Sequence, residues 1–123
     1  MRGEGAEILY VRHTYGNRDA WELPGGGLRP REAPEAAVRR EMREELGVEL
    51  AGVREVGRLE IAGYHKRTLL HCFEARAEGA APIRLAEAEI AEARWAPLDA
   101  PPRPLGRDAG ALLELVRREV AGD

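Results

Sequence analysis

The apolar positions change their spacing along this chain, and each spacing predicts an element. From Ala6 to His13 (AEILYVRH) the run is β-branched and apolar, as in a half-buried strand. Tyr15-Gly16-Asn17-Arg18-Asp19 reads as a turn, and Trp21-Glu22-Leu23 as a short strand that Pro24 ends. Three glycines, Gly25 to Gly27, open a polar loop that runs through Arg31. The next segment, Pro34 to Leu46, switches to helical spacing, with Val38, Met42 and Leu46 four apart and Ala37 beside them. Pro34 suits the first helical position, where its missing N–H has no partner to lose, although Ala33 is a weak N-cap without a side-chain oxygen. Gly47 stops the helix. Strands follow at roughly 53–61 and 67–76, joined as a hairpin through Gly63-Tyr64-His65-Lys66, then at 91–97. After the proline-rich stretch 97–104, Asp108 to Val120 closes the chain as an amphipathic helix with Leu112, Leu113, Leu115 and Val116 inward. This order predicts an α/β fold with a mixed sheet and helices packed on it.

Composition narrows the class. At 123 residues the chain is expected to be one domain, 1–123, with 44% apolar and 33% charged residues. Lys+Arg of 19 against Asp+Glu of 22 leaves a formal charge of −3, with no basic excess to hold an extended nucleic acid. Cys72 is the only cysteine, which excludes an internal disulfide and a Cys-rich zinc site. There is no serine, so serine nucleophile chemistry is excluded too. Charges interrupt every hydrophobic run before membrane-spanning length, and no leader is evident, so the chain reads as soluble and cytoplasmic with no membrane partner.

The candidate chemistry lies between Gly25 and Val48, where the glycine loop enters the first helix. Glu41, Glu44 and Glu45 fall three and four residues apart on one helical edge, their Cβ atoms about 5–6 Å from one another. Like charges so placed cost an isolated helix about 0.2–0.5 kcal/mol per pair. A divalent cation reverses that balance, and hard oxygen donors suit Mg²⁺ or Mn²⁺. The amides and dipole at the helix N-terminus can face a phosphate. Together these features suggest attack at phosphorus. Each also has a plainer reading: Glu35–Arg39 and Arg40–Glu44 are i,i+4 pairs of a solvated face, and three glycines alone make a turn more often than a phosphate cradle.

The joint pattern is more specific. Gly26, five residues, Glu32, seven residues, then Arg40-Glu41-Met42-Arg43-Glu44-Glu45-Leu46-Gly47-Val48 resembles the Nudix box at every specified position from Gly26 to Val48. The approach Trp21-Glu22-Leu23-Pro24-Gly25-Gly26-Gly27 resembles the same family. The resemblance implies an α/β/α sandwich with a mixed central sheet. It also implies metal-dependent hydrolysis of the pyrophosphate linkage in a nucleoside diphosphate joined to another group. Glu41, Glu44 and Glu45 become the Mg²⁺ or Mn²⁺ ligands, with the Gly25 carbonyl beside them. Glu41 also matches a residue proposed as general base in some members. Arg40 would orient the glutamates, and Glu32 would support the loop, pairing with Arg40. A further acidic ligand or base comes from a later loop in many members; Glu87, Glu89 and Glu92 lie there, and Glu89 is favoured.

Family members normally carry a strand before the one at Ala6–His13, where only five residues precede it here. Either the chain is shortened there and lacks that strand, leaving a sheet edge that a homodimer could cover, or a different segment covers the edge. The implied partner is a small nucleotide whose X-group the box does not specify. The alternative function is a catalytically silent Nudix-fold nucleotide-binding or regulatory module, a reading that the intact glutamates oppose. Trp21 and Trp95 could stack a base but are better explained as core residues, Tyr64 and His65 as surface turn residues. His71 and Cys72, adjacent on a strand, should face opposite ways and form no thiol–imidazole pair.

Overall fold

The fold is seen in a computed structural model that describes residues 7–16, 18–62, 67–77 and 83–121. Its elements are β1 (Glu7–His13), α1 (Pro34–Leu46), β2 (Leu50–Ala62), β3 (Arg67–Ala77), β4 (Ile90–Pro97) and α2 (Arg107–Ala121). The turn residues Tyr64 and His65 lie outside the described residues. The expected order of strands and helices is present, with β2 starting three residues earlier than its apolar pattern indicated. Leu50 and Ala51 already pair with Ala77 and Arg76, and a register shift between Ala51 and Arg54 carries the strand past Gly52. The Trp21 stretch is reduced to isolated bridges, Val11 with Glu22 and Trp21 with Leu105.

Alternation along β1 builds the layers. Leu9 and Val11 join Met42 and Leu46 of α1, with Val48, Leu50 and Ile90, in one core cluster. Ile8 and Tyr10 face the other way and join Trp21, Ala96 and Leu113 of α2. One strand of period two therefore separates two helices, one packed on each side, which is the α/β/α arrangement.

The strands associate as two antiparallel pairs, β1 with β4 and β2 with β3; among the described residues no ladder joins the pairs. A cavity of about 860 Å³ opens between them, lined by Leu9 and Trp95 from one pair, Leu50, Leu70 and Cys72 from the other, and reaching the Gly25–Gly27 loop. The helices bridge the division: α1 packs on β2 and β3 as well as on the β1 core, and Leu115 of α2 lies against Gly57 of β2. Among the described residues no helix is long and apolar enough to cross a membrane.

Helix α1 positions the site. Ala33 makes no side-chain cap, as its residue type requires, and Pro34 opens the helix. At the far end Gly47 takes φ 64°, ψ 29°, and its N–H donates to the Arg43 carbonyl at 3.0 Å. Just beyond that cap the chain returns to it: the Arg84 and Ala86 N–H groups donate to the Leu46 and Glu45 carbonyls at 2.8 and 2.9 Å. This docking carries residues 84–90 to the end of the helix.

Candidate functional site

Arg40 is the centre of the polar network. Its Nε and Nη2 donate to the two Glu32 carboxylate oxygens, both at 2.8 Å, in the fork geometry that a guanidinium makes and an ammonium cannot. Its Nη1 donates to Glu41 at 2.8 Å and to Glu44 at 3.3 Å, and Nη2 also reaches the Gly27 carbonyl at 3.0 Å. The Arg40 bonds, and then the Arg29 N–H, hold the Glu32 carboxyl down at about 2, and Glu32 in turn makes Arg40 still harder to deprotonate. Arg29 adds a side-chain bond to Glu44 at 3.2 Å. Loop and helix are thus tied through one cation that touches two of the three box glutamates.

Glu45, the third, is 3% exposed and the only charged side chain in the core among the described residues. It accepts the Gly25 N–H at 3.1 Å, and its other oxygen lies 3.7 Å from His13 Nε2. Burial pushes its carboxyl up to about 7; the Gly25 bond opposes this, and the charges of Glu41, Glu89 and Glu44 add to it. Glu41, Glu44 and Glu89 thus lie near enough for their charges to act on Glu45. Glu41 is the one seated against the glycine loop: a Cβ on Gly26 would fall 2.6 Å from Glu41 Oε1, so only glycine admits the carboxylate there.

The donor set fits a hard divalent cation in chemistry: carboxylate oxygens on one helical edge, mutually repelling, one of them buried. In the described residues each carboxylate is bonded to a donor of the chain itself, Glu41 and Glu44 to Arg40 and Glu45 to the Gly25 N–H. No three His, Cys, Asp or Glu side chains among them converge as a finished ligand set. Gly25 meets Glu45 through its N–H.

Of the later acidic residues, Glu89 is the one brought near. Its carbonyl accepts the Thr14 N–H at 3.0 Å, and its charge is felt at Glu45. Glu92 points to the opposite face, because β4 pairs it with Arg12, to which it bonds at 2.5 Å. Glu87 is exposed, and nothing ties it to the glutamates. Trp21 is buried in the α2-side core with the Arg12 and Arg94 guanidinium groups 5.1 and 4.7 Å from its ring centroid, and Trp95 packs on the α1-side core. His71 bonds Glu55 at 3.0 Å, while burial pushes the Cys72 thiol up to about 11, which keeps it protonated and inert.

The pattern of the box did not reveal His13, Thr14 and Tyr15. Their signal was the period of β1, which puts His13 on the face of Leu9 and Val11, toward Glu45. Thr14 Oγ1 donates to the Ala88 carbonyl at 2.7 Å, locking the end of β1 to the loop that carries Glu89.

Comparison with known proteins agrees with this geometry. A solved MutT NUDIX hydrolase from Burkholderia pseudomallei superposes with a TM-score of 0.80 at 26% identity, covering 89% of this chain and 88% of that one. The NUDIX domain of Shewanella oneidensis NrtR, solved in complex with ADP ribose, has a TM-score of 0.74 over 93% of this chain and 77% of that one; at 20% identity the likeness is one of fold. An RNA pyrophosphohydrolase of Pseudomonas aeruginosa is 41% identical over 54 residues, 44% of this chain and 33% of that protein, so the chain spans about a third of such a curated relative. The NUDIX domain model matches residues 1–117, and with the box seated on α1 as described, the chain belongs to the NUDIX family.

Proposed function

We propose that this domain hydrolyses the pyrophosphate linkage of a nucleoside diphosphate joined to another group, by attack of water at phosphorus. The observation that carries this reading is the placement of two box glutamates of one helix at the glycine loop, Glu41 seated against Gly26 and the buried Glu45 accepting the Gly25 N–H. Glu41, Glu44, Glu45 and the Gly25 carbonyl would hold Mg²⁺ or Mn²⁺. Bound there, the ion would lower the pKa of water and neutralise charge developing on phosphoryl oxygens. Arg40, fixed by Glu32, orients Glu41 and Glu44. A carboxylate takes the proton from the attacking water; Glu41, seated on Gly26, and Glu89, at the end of the docked loop, are the two candidates. No covalent intermediate is required, in keeping with a chain that lacks serine and buries its one cysteine.

One observation favours a second reading, ligand binding without turnover: Arg40 engages Glu41 and Glu44 together, supplying within the chain the positive charge that a metal would bring. A panel of nucleoside diphosphate derivatives, nucleoside triphosphates and 5′-triphosphorylated RNA, assayed with Mg²⁺ and with Mn²⁺ for release of the monophosphorylated product, separates the two. Hydrolysis that is metal-dependent and abolished in Glu45→Gln supports the enzyme. Metal-dependent binding with no release supports the module, and equal turnover by both proteins removes Glu45 from the site.

A further inference from the structure

A single apolar side chain in water is ordinary, but an exposed aromatic ring also offers a face on which a base can stack. Tyr15 is 60% exposed, yet it is held in place. Its ring lies against His13, centroids 5.1 Å apart and planes tilted by 50°, and His13 in turn reaches Glu45 at 3.7 Å. The preceding residue, Thr14, is pinned twice to the docked loop, through its N–H to Glu89 and its hydroxyl to Ala88. The Tyr15 hydroxyl is harder to ionise than usual, first through desolvation and then through the charges of Glu45, Glu89 and Glu41, so it shares the electrostatic neighbourhood of the carboxylates. A rigid exposed ring therefore stands next to the group of acids expected to take a diphosphate.

We infer that Tyr15, backed by His13, is the stacking platform for the aromatic ring of the substrate, making it a specificity-determining residue. The inference rests on the proposed function, in which that ring is a nucleobase and the diphosphate lies at the glutamates. Of the two tryptophans, Trp21 is buried under two guanidinium groups and Trp95 is half-buried against the α1-side core, whereas Tyr15 stands free in solvent beside His13. Stacking is tolerant of base identity because every base has a π face, so the platform would favour nucleotides as a class over their base-free analogues.

The test is calorimetric titration of the intact chain, in magnesium, with AMP and with ribose 5-phosphate. The wild type should bind AMP more tightly. Tyr15→Ala should lose AMP affinity by about five- to a hundred-fold and keep its ribose 5-phosphate affinity, and Tyr15→Phe, which retains the ring, should match the wild type. Undiminished AMP binding by Tyr15→Ala overturns the inference. So does an equal loss for both ligands, which would mark a structural role, or a wild type that does not distinguish them. Cleavage of nucleoside diphosphate derivatives, followed on the same preparations by the nucleoside monophosphate formed, keeps the two ideas separate: hydrolysis with the same KM in wild type and Tyr15→Ala sinks the platform alone, whereas AMP-selective binding without hydrolysis sinks the catalytic reading and leaves the platform standing.

Discussion

Gly26→Ala tests the site through a single methyl group. The added Cβ would meet Glu41 Oε1 at 2.6 Å, the carboxyl carbon at 2.7 Å and Oε2 at 2.9 Å. All three atoms belong to the far end of a flexible side chain, so the backbone need not move. To restore the 3.4 Å at which ordinary contact begins, the nearest oxygen must retreat by about 0.8 Å. That displacement also pulls on the 2.8 Å bond from Arg40. A misplacement approaching 1 Å in catalytic geometry costs about a hundred-fold in rate. Stability should change little, since Gly26 is exposed and alanine restricts the unfolded chain by about 0.4–1 kcal/mol in the protein's favour. The expected result is a fall of about a hundred-fold in kcat/KM, measured as metal-dependent formation of the nucleoside monophosphate, with the melting temperature maintained. Undiminished turnover by a well-folded Gly26→Ala protein would show that the position of Glu41 against the loop has no part in catalysis. A collapsed melting temperature would show that the contact is structural instead.

Glu45 makes metal-free stability depend on pH. Its carboxyl is raised from 4.5 to about 7 in the fold, so between those values the native state keeps a proton that the unfolded chain releases, and stability falls as pH rises through that window. The melting temperature of Glu45→Gln relative to wild type, in chelator, should therefore climb from pH 4.5 to about 7 and then level off, a swing on the order of 3 kcal/mol; a difference independent of pH refutes the assignment. Tyr10 is fully buried and its hydroxyl has no hydrogen-bond partner, so Tyr10→Phe should leave stability unchanged or raise it by about 1–3 kcal/mol in urea unfolding. A lower urea midpoint would reveal an acceptor for that hydroxyl. Arg40→Lys keeps the charge and loses the fork to Glu32, so it should lower the melting temperature and remove most of the turnover, whereas wild-type behaviour would mean that charge alone suffices.

Sequence periodicity and punctuation were enough to place both helices and β1, β3 and β4 to within a residue or so, because Pro34, Gly47 and the alternation of Leu9 and Val11 against Ile8 and Tyr10 each have a local physical cause. The three box glutamates were legible as a group for the same reason, since helical spacing alone fixes their shared edge. What could not be read were relations that close over long separations. The capture of residues 84–90 by the end of α1 depends on backbone carbonyls that carry no sequence signal, and it is this capture that brings Glu89 toward Glu45 and sends Glu92 to the Arg12 face. The early start of β2 was not legible because Gly52 takes a positive φ within a register shift, which interrupts the alternation between Leu50 and the rest of the strand. His13 and Tyr15 were hidden because the pattern of the box ends well after them.

The separation of β1–β4 from β2–β3 has a dynamic consequence. Among the described residues no ladder joins the two pairs, so either can open while the other stays closed, coupled to it through the helices and through the core that Leu9 and Ile90 share with Leu50. Deuterium uptake by the amides should therefore divide the strands into two cooperative units with different opening free energies. Because His13 belongs to one unit and Glu45 to the helix that packs on both, a small molecule spanning them would act as a clasp, slowing exchange in β1 and β4 far more than along β2 and β3.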